Sequence, residues 1–139
     1  MSAGARAWIA KAEADIDAVR RSLEPDPDIN EEIAAYHLQQ AAEKLLKAAL
    51  VHLGIAYPRG SGGHDLRLCA NLLPPGFPLN ADARALVPMS PWGTAYRYPD
   101  DDPVTAAPLP TDAELEAAST KVAAFRIKLL ALLDASSAI

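Results

Sequence analysis

Twelve prolines divide this chain, and most are crowded into its middle. They stand at 25, 27, 58, 74, 75, 78, 88, 91, 99, 103, 108 and 110, so residues 1–24, 28–57 and 111–139 hold none. A proline in a helix interior removes a donor and costs ~3 kcal/mol, so long helices fit only in the three proline-free stretches. Each stretch carries a helical apolar stripe. In the first, Ala5, Trp8, Ile9, Ala12, Ile16, Val19 and Leu23 share one face of a helix from about Ala3 to Leu23, with Asp15 at the edge of the stripe. In the second, Leu38, Ala41, Ala42, Leu45, Leu46, Ala49 and Leu53 line a helix from about Glu31 to Leu53, capped by Asn30 and stopped by Gly54. In the third, Thr111 and Glu114 form a capping-box pattern ahead of Leu115, Ala118, Val122, Phe125, Leu129, Leu132 and Leu133.

The proline-rich middle permits only short pieces. PRGSGG after Tyr57 reads as a loop, and His64 and Asp65 open a short helix through Leu72 that Pro74 and Pro75 end. Asn80 caps a second short helix to Val87, and Ser90 caps a third from Pro91 to Tyr98. No stretch alternates convincingly with period two. The expectation is an all-α, up-and-down bundle of three long and two or three short helices, in one domain over residues 1–139. At 14.7 kDa such a chain can bury a core without staples.

Composition narrows the function. One cysteine, Cys69, excludes a disulfide framework and a Cys-rich zinc site. No apolar run approaches a membrane span, and the start MSAGARAWIAKAEADID is too interrupted by charge for a signal peptide, so a reducing cytoplasm is the expected compartment. The net charge of −5 gives the molecule as a whole no attraction for nucleic acid, which leaves only a local cleft for such a ligand.

Several polar residues stand out. On the second helix His37, Gln40, Glu43, Lys44 and Lys47 form a strip opposite the apolar face. It reads either as a solvated face with a Glu43–Lys47 pair or as a donor-rich wall for phosphates or bases. Arg97 between Tyr96 and Tyr98 reads as a stacked structural cation or as a phosphate and base contact. Asp100 to Asp102 read as a solvated loop, and His64 with Asp65 as a helix start or as a metal or acid–base pair. Three histidines at 37, 52 and 64 beside one cysteine do not suggest a metal site, and no phosphate-binding Gly loop, GxSxG or HExxH occurs. No metal or cofactor is expected.

Four of these segments together resemble the HEPN domain family. They are Trp8 with Ala12, Asp15, Ile16 and Ala18; YHLQQAAEKLLKAAL from Tyr36 to Leu50; HDL from His64 to Leu66; and RYPDD from Arg97 to Asp101. The resemblance runs from about residue 5 to 133 and implies a helical bundle that pairs into a homodimer, with a cleft connected with nucleotides or RNA. It further implies a minimal nucleotidyltransferase as a partner, in a toxin–antitoxin-like pair. Carried over residue by residue, it marks Asp15, Gln40, Glu43, Lys44, Lys47, His64, Asp65, Arg97 and Tyr98. The ligand-contacting positions would be Gln40, Lys44, Lys47, Arg97 and Tyr98, supported by Asp15, His37, Glu43, His64 and Asp65. The family's ribonucleases use an Arg followed four to six residues later by a His near the last helix. After Arg97 this sequence has no His, and the Arg59-to-His64 spacing falls in the wrong segment.

Three readings follow. The first is a dimeric binding module for a nucleotide, RNA or a nucleotidyltransferase, without efficient catalysis of its own. The second is a metal-independent ribonuclease toxin with a non-standard site, and the third a structural interaction protein. Pairing is also suggested by Phe77, Leu79, Met89 and Trp92, which add more apolar surface than a small bundle readily buries.

Overall fold

Ser2 starts the first helix of the computed structural model. Its Oγ accepts from the Ala5 amide at 3.1 Å, and α1 runs over Ala3–Ser22. The structure describes residues 1–25, 28–95 and 108–137. Asn30 caps α2, Glu31–His52, by accepting from the Ile33 amide, and Glu31 and Glu32 in the first turn suit the positive end of the helix. Gly54 follows with φ +71°, a left-handed conformation that L side chains rarely adopt, so the chain turns out of α2 there. Gly4 lies against Val51, and the Asn30 amide donates to the Ser22 carbonyl. Opposite ends of the two helices therefore meet, and α1 and α2 run antiparallel.

The last long helix, α5, spans Asp112–Ser137. Its capping box forms in both directions: Thr111 Oγ1 accepts from the Glu114 amide and Glu114 Oε1 from the Thr111 amide, each at 3.1 Å. It packs mainly on α2 and only lightly on α1. Among the described residues every regular element is helical, which makes the fold an all-α bundle. Buried side chains of α1, α2 and α5, among them Ile9, Val19, Leu38, Leu45, Leu46, Phe125, Leu129 and Leu133, form one core.

Helix α2 is the axis of this bundle, and here the fold departs from the expected one-sided helix. Beyond the predicted apolar face, Ala34, Ala35, Ala48 and Leu50 are buried, and so are the polar Gln39, Glu43 and Lys47. The polar strip is therefore not simply solvated, because α1 and the Val87–Gly93 segment also pack against α2. Leu53, assigned to the apolar face, is exposed where the helix has ended, and Trp8, Ile16, Leu23 and Leu132 are only partly buried at the core's edge.

The proline-rich middle wraps the α2 axis in short elements. Gly60–His64 is a 3-10 turn rather than a loop, and Asp65 alone caps α3, Leu66–Asn71, accepting from the Arg67 and Leu68 amides. Helix α4 is shorter than predicted, Asn80–Arg84, and Asn80 does not cap it. The Asn80 side-chain amide instead donates back to the Pro74 carbonyl at 2.7 Å. The helix predicted from Pro91 is replaced by a 3-10 turn, Val87–Gly93. Pro88 and Pro91 each lack an amide donor, and Ser90, the predicted cap, accepts instead from the Leu66 amide across the fold at 3.0 Å. Residues 96–98 of that predicted helix lie outside the described residues. Phe77 and Met89 are buried in the core, while Leu79 and Trp92 pack on it and are only partly buried.

Candidate functional site

Two carboxylates buried on or beside α2 organise the polar side chains. Asp15 leaves the edge of the α1 stripe and turns toward α2. Its Oδ1 lies 2.7 Å from His37 Nδ1 and its Oδ2 2.5 Å from Lys44 Nζ. His37 and Lys44 are seven residues apart, two turns of one helix face, so one carboxylate can bridge them. The cluster is partly open: Asp15 is buried, while the His37 side chain is 29% and that of Lys44 21% exposed.

The second cluster is more enclosed. Glu43 Oε2 accepts from Lys47 Nζ at 2.9 Å, and Oε1 lies 2.9 Å from His64 Nδ1 and 3.3 Å from Gln39 Nε2. Glu43 and Lys47 are only 5% and 9% exposed. Lys47 Nζ also stands 5.3 Å from the ring centroids of both Trp8 and Tyr57, which meet edge to face at 5.7 Å. Two electron-rich faces and one carboxylate thus surround a single ammonium. Gln39, wholly buried, ties the cluster to the 3-10 turns. Its amide donates to the His64 carbonyl at 3.0 Å, and its Oε1 accepts from Gln40 at 2.7 Å. A Cβ placed on Gly93 would come within 2.7 Å of the Gln39 side chain, so only glycine allows the Val87–Gly93 turn to approach this closely.

Beside this cluster opens a groove of about 600 Å3, lined by His64, Asp65, Arg67, Val87, Pro88, Ser90, Pro91, Gly93 and Thr94. Its size suits a small ligand. The lining combines apolar Val87, Pro88 and Pro91 with the ionisable His64 and Arg67. Because Nδ1 of His64 is held by Glu43, its Nε2 is the ring nitrogen left for a ligand, and the side chain is 51% exposed. The Ser90 hydroxyl accepts from the Leu66 amide and keeps its own proton to donate.

The predicted residues therefore sort into three places. Asp15, His37 and Lys44 form the open cluster; Glu43, Lys47 and His64 form the enclosed one, with Gln40 joined to it through Gln39. Asp65 lines the groove, its carboxylate occupied in capping α3. Arg97 and Tyr98 lie outside the described residues. The strip was expected to have Glu43 as its only carboxylate; Asp15 supplies a second from α1, so neither Lys44 nor Lys47 is an uncompensated charge. Sequence reasoning missed Gln39, Arg67, Ser90 and the Trp8–Tyr57 pair as parts of the site. Gln39 carried one available signal, its place four residues before Glu43 on the same helix face. Arg59, whose spacing to His64 resembles a ribonuclease pair, instead lies 5.5 Å from the Tyr57 ring.

Among the described residues no three His, Cys, Asp or Glu side chains gather as metal ligands, and no helix is long and apolar enough to cross a membrane. Neither a curated protein nor a solved structure matches the chain. A family model does: the HEPN domain model matches residues 5–127, from the first turns of α1 into the second half of α5, and takes in both carboxylate clusters and the groove. The chain belongs to the HEPN domain family.

Proposed function

We propose that this chain is a HEPN binding module that takes a nucleotide or the end of an RNA strand into the groove beside α3, as a homodimer working next to a minimal nucleotidyltransferase. The family's connection is with nucleotides and RNA, and its members commonly pair. The observation that carries the reading for this chain is the groove itself, whose lining combines His64 and Arg67 with the apolar Val87, Pro88 and Pro91. A base or ribose can rest on the apolar residues while the phosphate meets the guanidinium and imidazole. Glu43, Lys47 and Gln39 hold His64 in place from behind. The family resemblance adds Arg97 and Tyr98 as further contacts. In this reading Lys44 and Lys47 act through Asp15 and Glu43 rather than by direct contact.

Calorimetric titration with mononucleotides and short single-stranded RNA tests it. Arg67→Ala and Arg97→Ala are each expected to weaken binding about tenfold, the ~1.4 kcal/mol of one charged contact. Both variants binding as tightly as the parent protein would remove the groove from consideration.

One observation favours the ribonuclease reading, namely an imidazole in the groove with a carboxylate behind it. Efficient metal-independent cleavage needs a second proton-transfer group, and an arginine cannot serve at neutral pH. The expected result with labelled RNA and EDTA is no efficient cleavage. Robust cleavage lost in His64→Ala would promote the toxin reading, and growth arrest on expressing this chain alone would agree with it.

A further inference from the structure

His64 meets the groove with one ring nitrogen already committed. Its Nδ1 lies 2.9 Å from Glu43 Oε1, while Glu43 Oε2 takes the Lys47 ammonium at 2.9 Å. A carboxylate paired with an ammonium is ionised and only accepts, so Nδ1 is the donor whether the ring is neutral or protonated. In the neutral ring Nε2 is then a bare lone pair, and it carries a proton only in the imidazolium. The Glu43–Lys47 pair is buried and has no net charge. It fixes which nitrogen holds the first proton without holding a second proton on the ring. The other ionisable groups of the elements packed around His64 are few among the described residues. Asp65 and Arg67 stand at the start of α3, and the Cys69 thiol is buried behind them against the Gly63 carbonyl. Tyr57 lies beside Lys47 and Arg59 beside Tyr57, Asp15 on α1 is engaged by His37 and Lys44, and the Val87–Gly93 turn carries no ionisable residue.

From this arrangement we infer that the groove selects a terminal phosphate monoester, the phosphorylated end of a nucleotide or RNA strand, over an internal phosphodiester, because His64 and the phosphate must hold one proton between them. This rests on the nucleotide reading proposed above and adds which phosphate the groove takes. A phosphate oxygen set against the Nε2 lone pair is repelled, since both are acceptors. One proton on the line between them turns the contact into a charge-assisted hydrogen bond. A phosphate monoester has a second pKa of about 6 and brings this proton itself. It donates to Nε2 as P–OH, or passes the proton to the ring and stays as a dianion beside an imidazolium. The two forms have the same atoms and the same net charge. An internal diester has no second proton to bring, and it offers one negative charge rather than two to keep the ring protonated. At high pH the free partners hold no proton between them and the complex holds one, so binding takes up a proton and weakens by about tenfold per pH unit. At low pH the free partners hold two and binding releases one. Affinity therefore peaks between these limits and falls on both sides.

Calorimetric titration on the alkaline side, in buffers of different ionisation enthalpy, counts the proton directly. The probes are AMP, its methyl phosphate ester, and a trinucleotide RNA with a terminal phosphate or without one. The terminally phosphorylated probes are expected to bind with uptake of about one proton, and about tenfold more tightly than the ester or the unphosphorylated strand. The His64 side chain is 51% exposed, so His64→Gln should leave the circular dichroism unchanged. Its amide donates without titrating. The variant should therefore lose the proton uptake and keep only the smaller preference that Arg67 gives for the extra charge. Uptake near zero, or an ester that binds within about twofold of AMP, overturns the inference and leaves the groove as a nucleotide site. A preference that persists undiminished in His64→Gln overturns it as well. Binding by none of the probes overturns the groove reading itself, and this inference with it.

Discussion

Replacing Glu43 with alanine should cost more stability than almost any other polar substitution in this chain. The carboxylate is 5% exposed and takes hydrogen bonds from Lys47 at 2.9 Å, His64 at 2.9 Å and Gln39 at 3.3 Å. Its removal leaves the Lys47 ammonium, itself 9% exposed, with only the Trp8 and Tyr57 rings for company. Stranding one partner of a buried pair costs about 3–5 kcal/mol. Attraction to the rings recovers about 1 kcal/mol at most of that. For a chain of this size each kcal/mol lowers the melting temperature by roughly 4 °C, so the remaining cost of about 2–4 kcal/mol corresponds to a fall of about 8–16 °C. Lys47→Met should cost less, because Glu43 keeps two donors. The double variant Glu43→Leu with Lys47→Met should recover most of the loss, since an apolar pair of similar volume is often neutral relative to a buried ion pair. Urea unfolding followed by circular dichroism, with Trp8 fluorescence as a local reporter, measures all three. A Glu43→Ala cost below about 1 kcal/mol, or a double variant worse than the sum of the singles, would refute the description of this cluster as a buried, mutually dependent pair.

Asp15→Ala should cost only about 1–2 kcal/mol by the same urea assay, because His37 and Lys44 can turn to water once the carboxylate is gone. Gly93→Ala should destabilise by about 1–3 kcal/mol through overpacking against Gln39, and should also weaken ligand titration because the Val87–Gly93 wall is displaced. Burial pushes the Cys69 thiol above its ordinary value of 9.0, opposed in part by the nearby Lys47 charge. The folded state therefore resists thiolate formation. The resulting stability is fully present below the ordinary value and is lost as pH rises through the folded one. Urea midpoints of the wild-type chain should accordingly fall more steeply above pH ~9 than those of Cys69→Ala, and parallel curves would contradict this.

The long helices were legible because their signals are local. Proline-free length, the caps Asn30 and Thr111 and the apolar arcs of α1 and α5 all act within a few residues of each other. The middle was less legible because its choices are settled by distant partners. Ser90 ahead of Pro91 has the local form of a helix cap, yet its hydroxyl meets the Leu66 amide, and the turn stays 3-10. Asn80 likewise has the form of a cap and is instead engaged by the Pro74 carbonyl. A periodicity argument also treats a helix as one-sided. It misplaced Glu43 and Lys47 on an outer face because α2, at the axis of the bundle, is covered on nearly every side.

The site was partly readable for a related reason. Trp8 and Asp15 are seven residues apart on α1, so they share a face and look in sequence like the margin of its core stripe. In the fold each serves a different α2 cluster: the Trp8 ring lies beside Lys47, and Asp15 bridges His37 and Lys44. One amphipathic helix thus contributes both to the core and to the polar wall, and no period distinguishes the two uses. A buried ion pair is also a poor stabiliser compared with an apolar pair of the same volume. The presence of two such clusters on the central helix therefore needs a reason other than stability. Holding His64 at the mouth of the groove supplies one for the Glu43 cluster. If the apolar double variant folds well and still binds nucleotide or RNA as tightly as the parent protein, that reason fails, and the ions remain a structural cost without a functional return.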